Sequence, residues 1–348
     1  VSSPRKKHFG TPSFPSVQPH LKFANLSGTV SSIIHSMTWI IDAHQDLAYA
    51  AINFGRDYKR SVAASRAAEP TDPANELTLG YPEYREAEVG LIFSTIFTER
   101  TRDAKREPRP GLQYRNGDEF HRAVMTQIDF YRRWHDDEDG KFRMLKTRAE
   151  LDAHCAAWDE PDQRNTAAVG LILLMEGAEG LRSFADLDEY MDAGLRLVGP
   201  VWGGGRFCGA AADDPRDGFT HEGIDLLHAM SGRHLILDVS HMNRKSAGQA
   251  LERYEGVVVA THANAEALIQ NPPDQRLLHD DTIRLLIERD GVIGVIPCNG
   301  FLNTSWKAGD DRRAVTLDTL VNHIDHICQI AGDAAHAALG TDFDGGFG

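Results

Sequence analysis

No apolar run in the 348 residues approaches the roughly eighteen or more that a membrane-spanning helix needs. Basic charge is scarce: 37 Lys and Arg stand against 51 Asp and Glu, a formal net charge of −14. That balance argues against nucleic acid or an anionic membrane surface as a partner. The four cysteines, Cys155, Cys208, Cys298 and Cys328, are far apart and form no C-x-x-C pair. Their spacing excludes a disulfide scaffold and a zinc knuckle, so they read as reduced, packed thiols of a cytoplasmic protein. Acidic residues are missing before Asp42, and residues 1–36 are Ser- and Pro-rich with Arg5, Lys6, Lys7 and Lys22. Without an amphipathic arginine pattern, this stretch reads as a disordered extension rather than a transit peptide, with Met37 available as a natural start.

What remains, 37–348, is long enough for one large core, and its 41% hydrophobic and 25% charged residues are those of a globular protein. Eight apolar, β-branched runs recur at 37–42, 89–97, 168–175, 195–202, 234–240, 256–261, 291–297 and 336–343. Each stays apolar instead of alternating, as a buried parallel strand does. Between them, segments such as "EFHRAVMTQIDFYRRW", "KSAGQALERY" and "TLDTLVNHIDHICQI" carry apolar positions at helical spacing. Eight strand-then-helix units predict a single (β/α)8 TIM-type barrel. The chain stops at Gly348, directly after the eighth run, so the expected barrel lacks its last helix, as a truncated C-terminus would. The charged stretch from Arg100 to Glu160 reads as an insertion carrying a helix, its charge runs "RTRDAKREPRPG" and "HDDEDGKF" forming a solvated face.

In such a barrel the chemistry gathers at the C-terminal ends of the strands. Those ends offer His44 and Asp46, Glu176, His241, His262, and finally Asp342 and Asp344. Two-residue spacing sends His44 and Asp46 to one side of an extended segment. Histidines and carboxylates converging on one rim form the ligand set of a divalent metal, zinc by default with manganese or iron as alternatives, and there are enough of them for two ions. In a paired site a bridging carboxylate and a water hold the ions about 3.5 to 4 Å apart and polarise a scissile carbonyl. Glu176, alone on its strand, suits the bridge, and Asp342 is placed to shuttle a proton to a leaving amine. Structural roles compete for each residue. Ser240 and Thr261 are good helix N-caps, Glu176 could pair with Arg196, and Asp342 and Asp344 could be turn residues beside Gly345 and Gly346. Chance placement of ligand-type residues at five strand ends is the weaker explanation.

At these residues the sequence resembles the membrane (renal-type) dipeptidase family, binuclear zinc peptidases on an amidohydrolase-superfamily barrel. The matching stretches include "IDAHQDLA", "LLMEGAEGL", "LILDVSHMN", "VVVATHANAEAL", "RLLHDDTIRLLIERDGVIGV" and "LGTDFDGG", in family order from about residue 37 onward. The resemblance implies that His44 and Asp46 bind one metal, His241 and His262 the other, and that Glu176 bridges. It also implies that Arg276 grips a substrate carboxylate, that Asp342 is the proton shuttle, and that the protein is a homodimer. Arg276 could instead be a surface arginine paired with Asp280 or Asp281. One departure stands out. Where better-known members carry a histidine in an "LTHN"-like segment after strand four, this chain reads "GPVWGGGRF", and no histidine lies between residues 155 and 220. Trp202, the residue in that place, can donate one hydrogen bond but no positive charge; it could equally wall the site beside a mobile loop from Gly203 to Gly205. The expected activity is hydrolysis of dipeptides or similar small amides with a free carboxylate by a metal-bridging hydroxide. A lactonase or N-acyl amino acid deacylase is the neighbouring alternative, and a catalytically silent metal- or ligand-binding barrel the remote one.

Overall fold

The computed structural model describes residues 39–69, 77–101, 107–212, 216–270, 272, 275–307 and 309–346. The extension expected at 1–36 lies outside them. Eleven strands are found: β1 Ile40–Gln45, β2 Val89–Phe97, β3 Glu99–Arg100, β4 Gln113–Tyr114, β5 Phe142–Met144, β6 Val169–Glu176, β7 Leu195–Gly199, β8 Ile236–Asp238, β9 Val258–Val259, β10 Ile293–Val295 and β11 Ala337–Leu339. Eight of them, in the order β10-β11-β1-β2-β6-β7-β8-β9, pair in parallel, and an Ala260–Ile293 bridge draws β9 to β10. The result is a nearly closed eight-stranded parallel barrel with helices between its strands. Each of the eight expected runs overlaps one of its strands.

Two boundaries differ from expectation in ways that matter. The first strand, expected to end at Asp42, runs on to Gln45, because Asp42 is buried within it. Its carboxylate accepts the Thr341 hydroxyl at 2.5 Å and the Gln45 amide at 2.6 Å. His44 therefore belongs to the strand rather than to the loop after it. The β9 strand is shorter than its run: ladder pairing with β8 stops at Val259, Ala260 bridges to Ile293, and the amides of Thr261 and His262 donate to the Asp238 and Ser240 side chains.

The stretch between β2 and β6 is more than a helix with a solvated face. It holds the small β3–β4 pair, the helices Gly117–Asp136, Arg148–Asp159 and Pro161–Arg164, and β5, which adds to the main sheet beside β6. The "HDDEDG" run is exposed as expected. The long helix, however, starts at an Asn116 N-cap accepting from Glu119 N and buries Phe120, Val124, Ile128, Tyr131 and Trp134. Trp134 stacks on Phe142 with centroids 4.4 Å apart. Tyr131 reaches furthest: its hydroxyl donates to the Thr95 carbonyl at 2.8 Å and accepts the Ala48 amide at 3.0 Å. The insertion thereby braces the strand and helix ends that flank Asp46.

Candidate metal centre

The strand ends bring His44, Asp46, Glu176, His241 and His262 to one point at the barrel rim. Glu176, last residue of β6, sits between the others. One oxygen lies 2.8 Å from His241 Nε2 and 3.5 Å from His262 Nε2, and the other 3.6 Å from His44 Nε2. The two sets Glu176–His241–His262 and His44–Asp46–Glu176 each present ligand-type atoms within 4.8 Å of one another. Asp46 stands at the N-cap position of the helix Leu47–Phe54, yet its side chain makes no capping bond. It accepts the Thr95 hydroxyl instead. Asp342 completes the ring, 3.8 Å from His44 Nε2, and its backbone amide donates to the His44 carbonyl at 2.9 Å.

The field at this point favours positive charge. Burial alone would push the His44 imidazole down, but the charges of Glu176, 3.6 Å away, and of Asp342 and Asp46 raise it to about 10. Burial would raise Glu176, yet His44 and His241 hold it well below the usual carboxylate range. Asp46 is lifted to about 7 by burial and by Glu176. Asp342 rises well above its ordinary value for the same reason, burial first, with His44 pulling it back. His241 and His262 are pushed down by burial, with the Arg276 charge adding to it, which favours the neutral form that a metal ligand needs. His44 Nε2 is buried and has no hydrogen-bond partner among the described residues. A divalent cation answers both facts: it would satisfy that nitrogen and balance the converging carboxylates. The donor set therefore fits the metal pair that the resemblance implies.

Several structural alternatives can be set aside. Arg196 gives its hydrogen bonds to the Lys146, Met191 and Leu195 carbonyls, leaving Glu176 to the histidines. Asp281 pairs with Arg244 and Arg284, and Asp280 with His326. Arg276 is not at the surface: it is buried, and its two terminal nitrogens donate to the Ser240 and His262 carbonyls at 2.8 Å each. Neither Ser240 nor Thr261 caps a helix; the helix Arg244–Arg253 starts from Asn243. Asp342 and Asp344 do sit in turn conformations, with φ of 53° and 63°. Asp344 is then consumed by Tyr58 and Thr78 at 2.8 Å and Arg56 at 3.4 Å, and it belongs to neither donor set.

Trp202 is half-exposed, its ring 6.1 Å from the His241 ring and 4.9 Å from Phe97. The loop after it is pinned: Glu179 Oε1 accepts the amides of Trp202 and Gly204, both at 3.1 Å. Burial raises the Glu179 carboxyl while those amides oppose the rise. Glu179 and Thr95 escaped the sequence reading, as did Asp238. The last ends β8 two residues before Ser240 and could have been found by the same strand-end rule that singled out Glu176. All four cysteines are free thiols, Cys208 buried and the others partly so. No helix among the described residues is long and apolar enough to cross a membrane.

With this geometry in place, comparison with known proteins is direct. Residues 30–347 match the family described as membrane dipeptidase, peptidase family M19. A Klebsiella pneumoniae protein from the region 5′ of pqqA is 35% identical over 59% of this chain and 73% of its own length. An uncharacterized dipeptidase of Schizosaccharomyces pombe is 27% identical over 75% of this chain, which spans 59% of that relative. Among solved structures, a Rhodobacter sphaeroides metallopeptidase liganded with a phosphinate mimic of the dipeptide L-Ala-D-Ala superposes with a TM-score of 0.68 at 22% identity, over 88% of this chain and 86% of that one. The probable dipeptidase PvdM of Pseudomonas aeruginosa gives 0.68 at 17% identity, over 91% and 86%. Such distant likeness speaks to the barrel, and the family match speaks to the chemistry: the chain belongs to the membrane dipeptidase family, the M19 peptidases, metal-dependent hydrolases of dipeptidase type.

Proposed function

We propose that this chain is a binuclear metallo-dipeptidase cleaving dipeptides, or similar small amides, that end in a free carboxylate. The observation that carries the proposal is the pair of donor sets sharing Glu176. In this reading His44 and Asp46 hold one ion, His241 and His262 the other, and Glu176 both. Zinc suits the nitrogen and oxygen donors, with manganese or iron as the other candidates. Ions held there supply an electrophile for the scissile carbonyl and lower the pKa of a water.

The remaining work falls to the chain's own groups. Asp342, raised by burial, is suited to hold a proton on its carboxylate and pass it to the leaving amine. Arg276 offers a buried guanidinium, oriented by the carbonyls of both histidine-bearing strand ends, to the substrate carboxylate. Trp202 forms an apolar wall beside His241 and can donate one hydrogen bond to a developing oxyanion. A cavity of about 280 Å³ bordered by Thr98, Arg100, Tyr114, Glu179 and Trp202 leaves room for a substrate side chain. The phosphinate mimic of L-Ala-D-Ala in the Rhodobacter structure supports an occupant of that size. Assembly as a homodimer rests on the family resemblance, and a cytoplasmic setting on the four free thiols.

The substitution of Trp202 for histidine favours one rival, a deacylase or lactonase that places less charge on its oxyanion. The test is a panel of dipeptides set beside N-acyl amino acids and lactones, given to the zinc-loaded full chain. Release of amino acids from dipeptides is expected; turnover confined to the other two classes would overturn the peptidase assignment.

A further inference from the structure

Behind the ligands lies a closed hydrogen-bond network that the metal reading does not use. Asp238, buried at the end of β8, accepts four donors: Ser240 N at 3.0 Å, Ser240 Oγ at 2.5 Å, Thr261 N at 3.0 Å and Thr261 Oγ1 at 2.6 Å. Both hydroxyl protons are thereby committed to one carboxylate. A hydroxyl has one proton and two lone pairs, so Thr261 Oγ1 can only accept from whatever else it touches. What it touches are two ring nitrogens, His262 Nδ1 at 3.0 Å and His44 Nδ1 at 3.2 Å. Two rings meet two lone pairs. Ser240 Oγ, 3.2 Å from the threonine oxygen, has no proton left to compete and itself accepts the His262 amide at 3.2 Å.

We propose that Thr261, locked by Asp238, fixes the tautomer of His44 and His262 together: each ring carries its proton on Nδ1 and turns its Nε2 lone pair toward the metal. Thr261 and Asp238 are positioning residues, acting through the histidines. On distance alone Asp238 also forms a possible ligand set with His44 and His262. The four donors on its two oxygens assign it to orientation instead. The backbone enforces the arrangement. A Cβ at Gly294 in β10 or at Gly340 just after β11 would fall 2.0 Å or 1.8 Å from the Thr261 carbonyl oxygen, so both positions need glycine to let Thr261 sit where it does. One hydroxyl serving a ligand from each half of the site also couples the two ion positions. The consequence for metal binding rests on the proposed function; the tautomer itself does not.

The experiment uses 15N-histidine-labelled full-length chain, with the two rings assigned by signal loss in His44→Asn and His262→Asn. Nδ1–H is expected on His262 in the metal-free protein and on both rings after zinc loading. Nε2–H on either ring in those states would overturn the proposal. Zinc affinity, read by chelator competition, should fall on the order of 10- to 100-fold in Thr261→Val, the range typical of an outer partner to a ligand, and recover in Thr261→Ser. Wild-type affinity in Thr261→Val would contradict the proposal. Should that variant fail to fold, the wild-type spectrum still decides. If the wild-type chain binds no zinc, the metal reading fails, and His262 in the metal-free protein decides the tautomer separately.

Discussion

His241 Nε2 lies 2.8 Å from one oxygen of Glu176, whose other oxygen faces His44 Nε2 at 3.6 Å. One carboxylate thus faces histidine nitrogens of both candidate donor sets. Replacing Glu176 by alanine is expected to lower zinc content in both halves and to cost more affinity than the 10- to 100-fold order expected for an outer-shell change. Turnover should fall with it. His241→Ala, by contrast, should empty one half, leaving about one equivalent by elemental analysis.

Close strand approach at Thr261 makes Gly340 sensitive. A Cβ there would meet the Thr261 carbonyl oxygen at 1.8 Å. Gly340→Ala should therefore cost roughly 1–3 kcal/mol by overpacking and weaken zinc binding by shifting the threonine. Gly248, inside the helix Arg244–Arg253, has no atom beyond its own helix backbone and chain neighbours within 4 Å of where a Cβ would sit, and is the control. Gly248→Ala should leave stability unchanged or raise it by about 0.5–1 kcal/mol. Thermal denaturation of both variants, beside zinc titration, checks the contrast.

The buried His323 gives the fold an acid sensitivity of its own. Its Nδ1 accepts the Ala265 amide at 3.1 Å, and burial, with the nearby His326 charge, lowers it to about 4. The unfolded chain takes up this proton near pH 6.5 and the folded one only near pH 4, so the unfolded state binds more protons in between. The contribution is intact above about pH 6.5 and is lost progressively as the pH falls to 4. Its full extent is on the order of 1–3 kcal/mol. In denaturant titrations at stepped pH, His323→Gln should show a shallower loss of stability across that window than the wild-type chain.

Tyr131 tests whether the insertion supports the site. Tyr131→Phe removes the acceptor for Ala48 N–H and the donor to the Thr95 carbonyl, both buried. A loss of about 1–3 kcal/mol is expected, measurable by denaturant unfolding. Zinc affinity should drop as well, because Thr95 in turn donates to Asp46.

The barrel was legible because parallel strands buried on both faces leave unbroken apolar runs, and each of the eight runs overlaps a strand. The candidate site was legible because His44, Glu176, His241 and His262 coincide at the ends of several strands, where any one of them alone would read as a packing or capping residue. Less legible were groups whose local pattern suggests something else. Ser240 and Thr261 look like N-caps, and Asp238, though at a strand end, has no neighbour in sequence that reveals its role; only the spatial meeting of two strand ends shows a carboxylate gathering two hydroxyls. Arg276 sits beside acidic residues in sequence, yet it turns inward to two carbonyls. Tyr131 lies on a helix bounded by charge, so its buried bonds to Thr95 and Ala48 could not be read from composition.

Metal content of protein purified without added metal, paired with dipeptide hydrolysis before and after chelation, tests the central claim most directly. Two equivalents of divalent metal per chain, as a paired site requires, with hydrolysis lost on chelation and regained on reloading, are expected. A chain that holds no metal, or that cleaves dipeptides equally well in the presence of chelator, would contradict a binuclear centre bridged by Glu176.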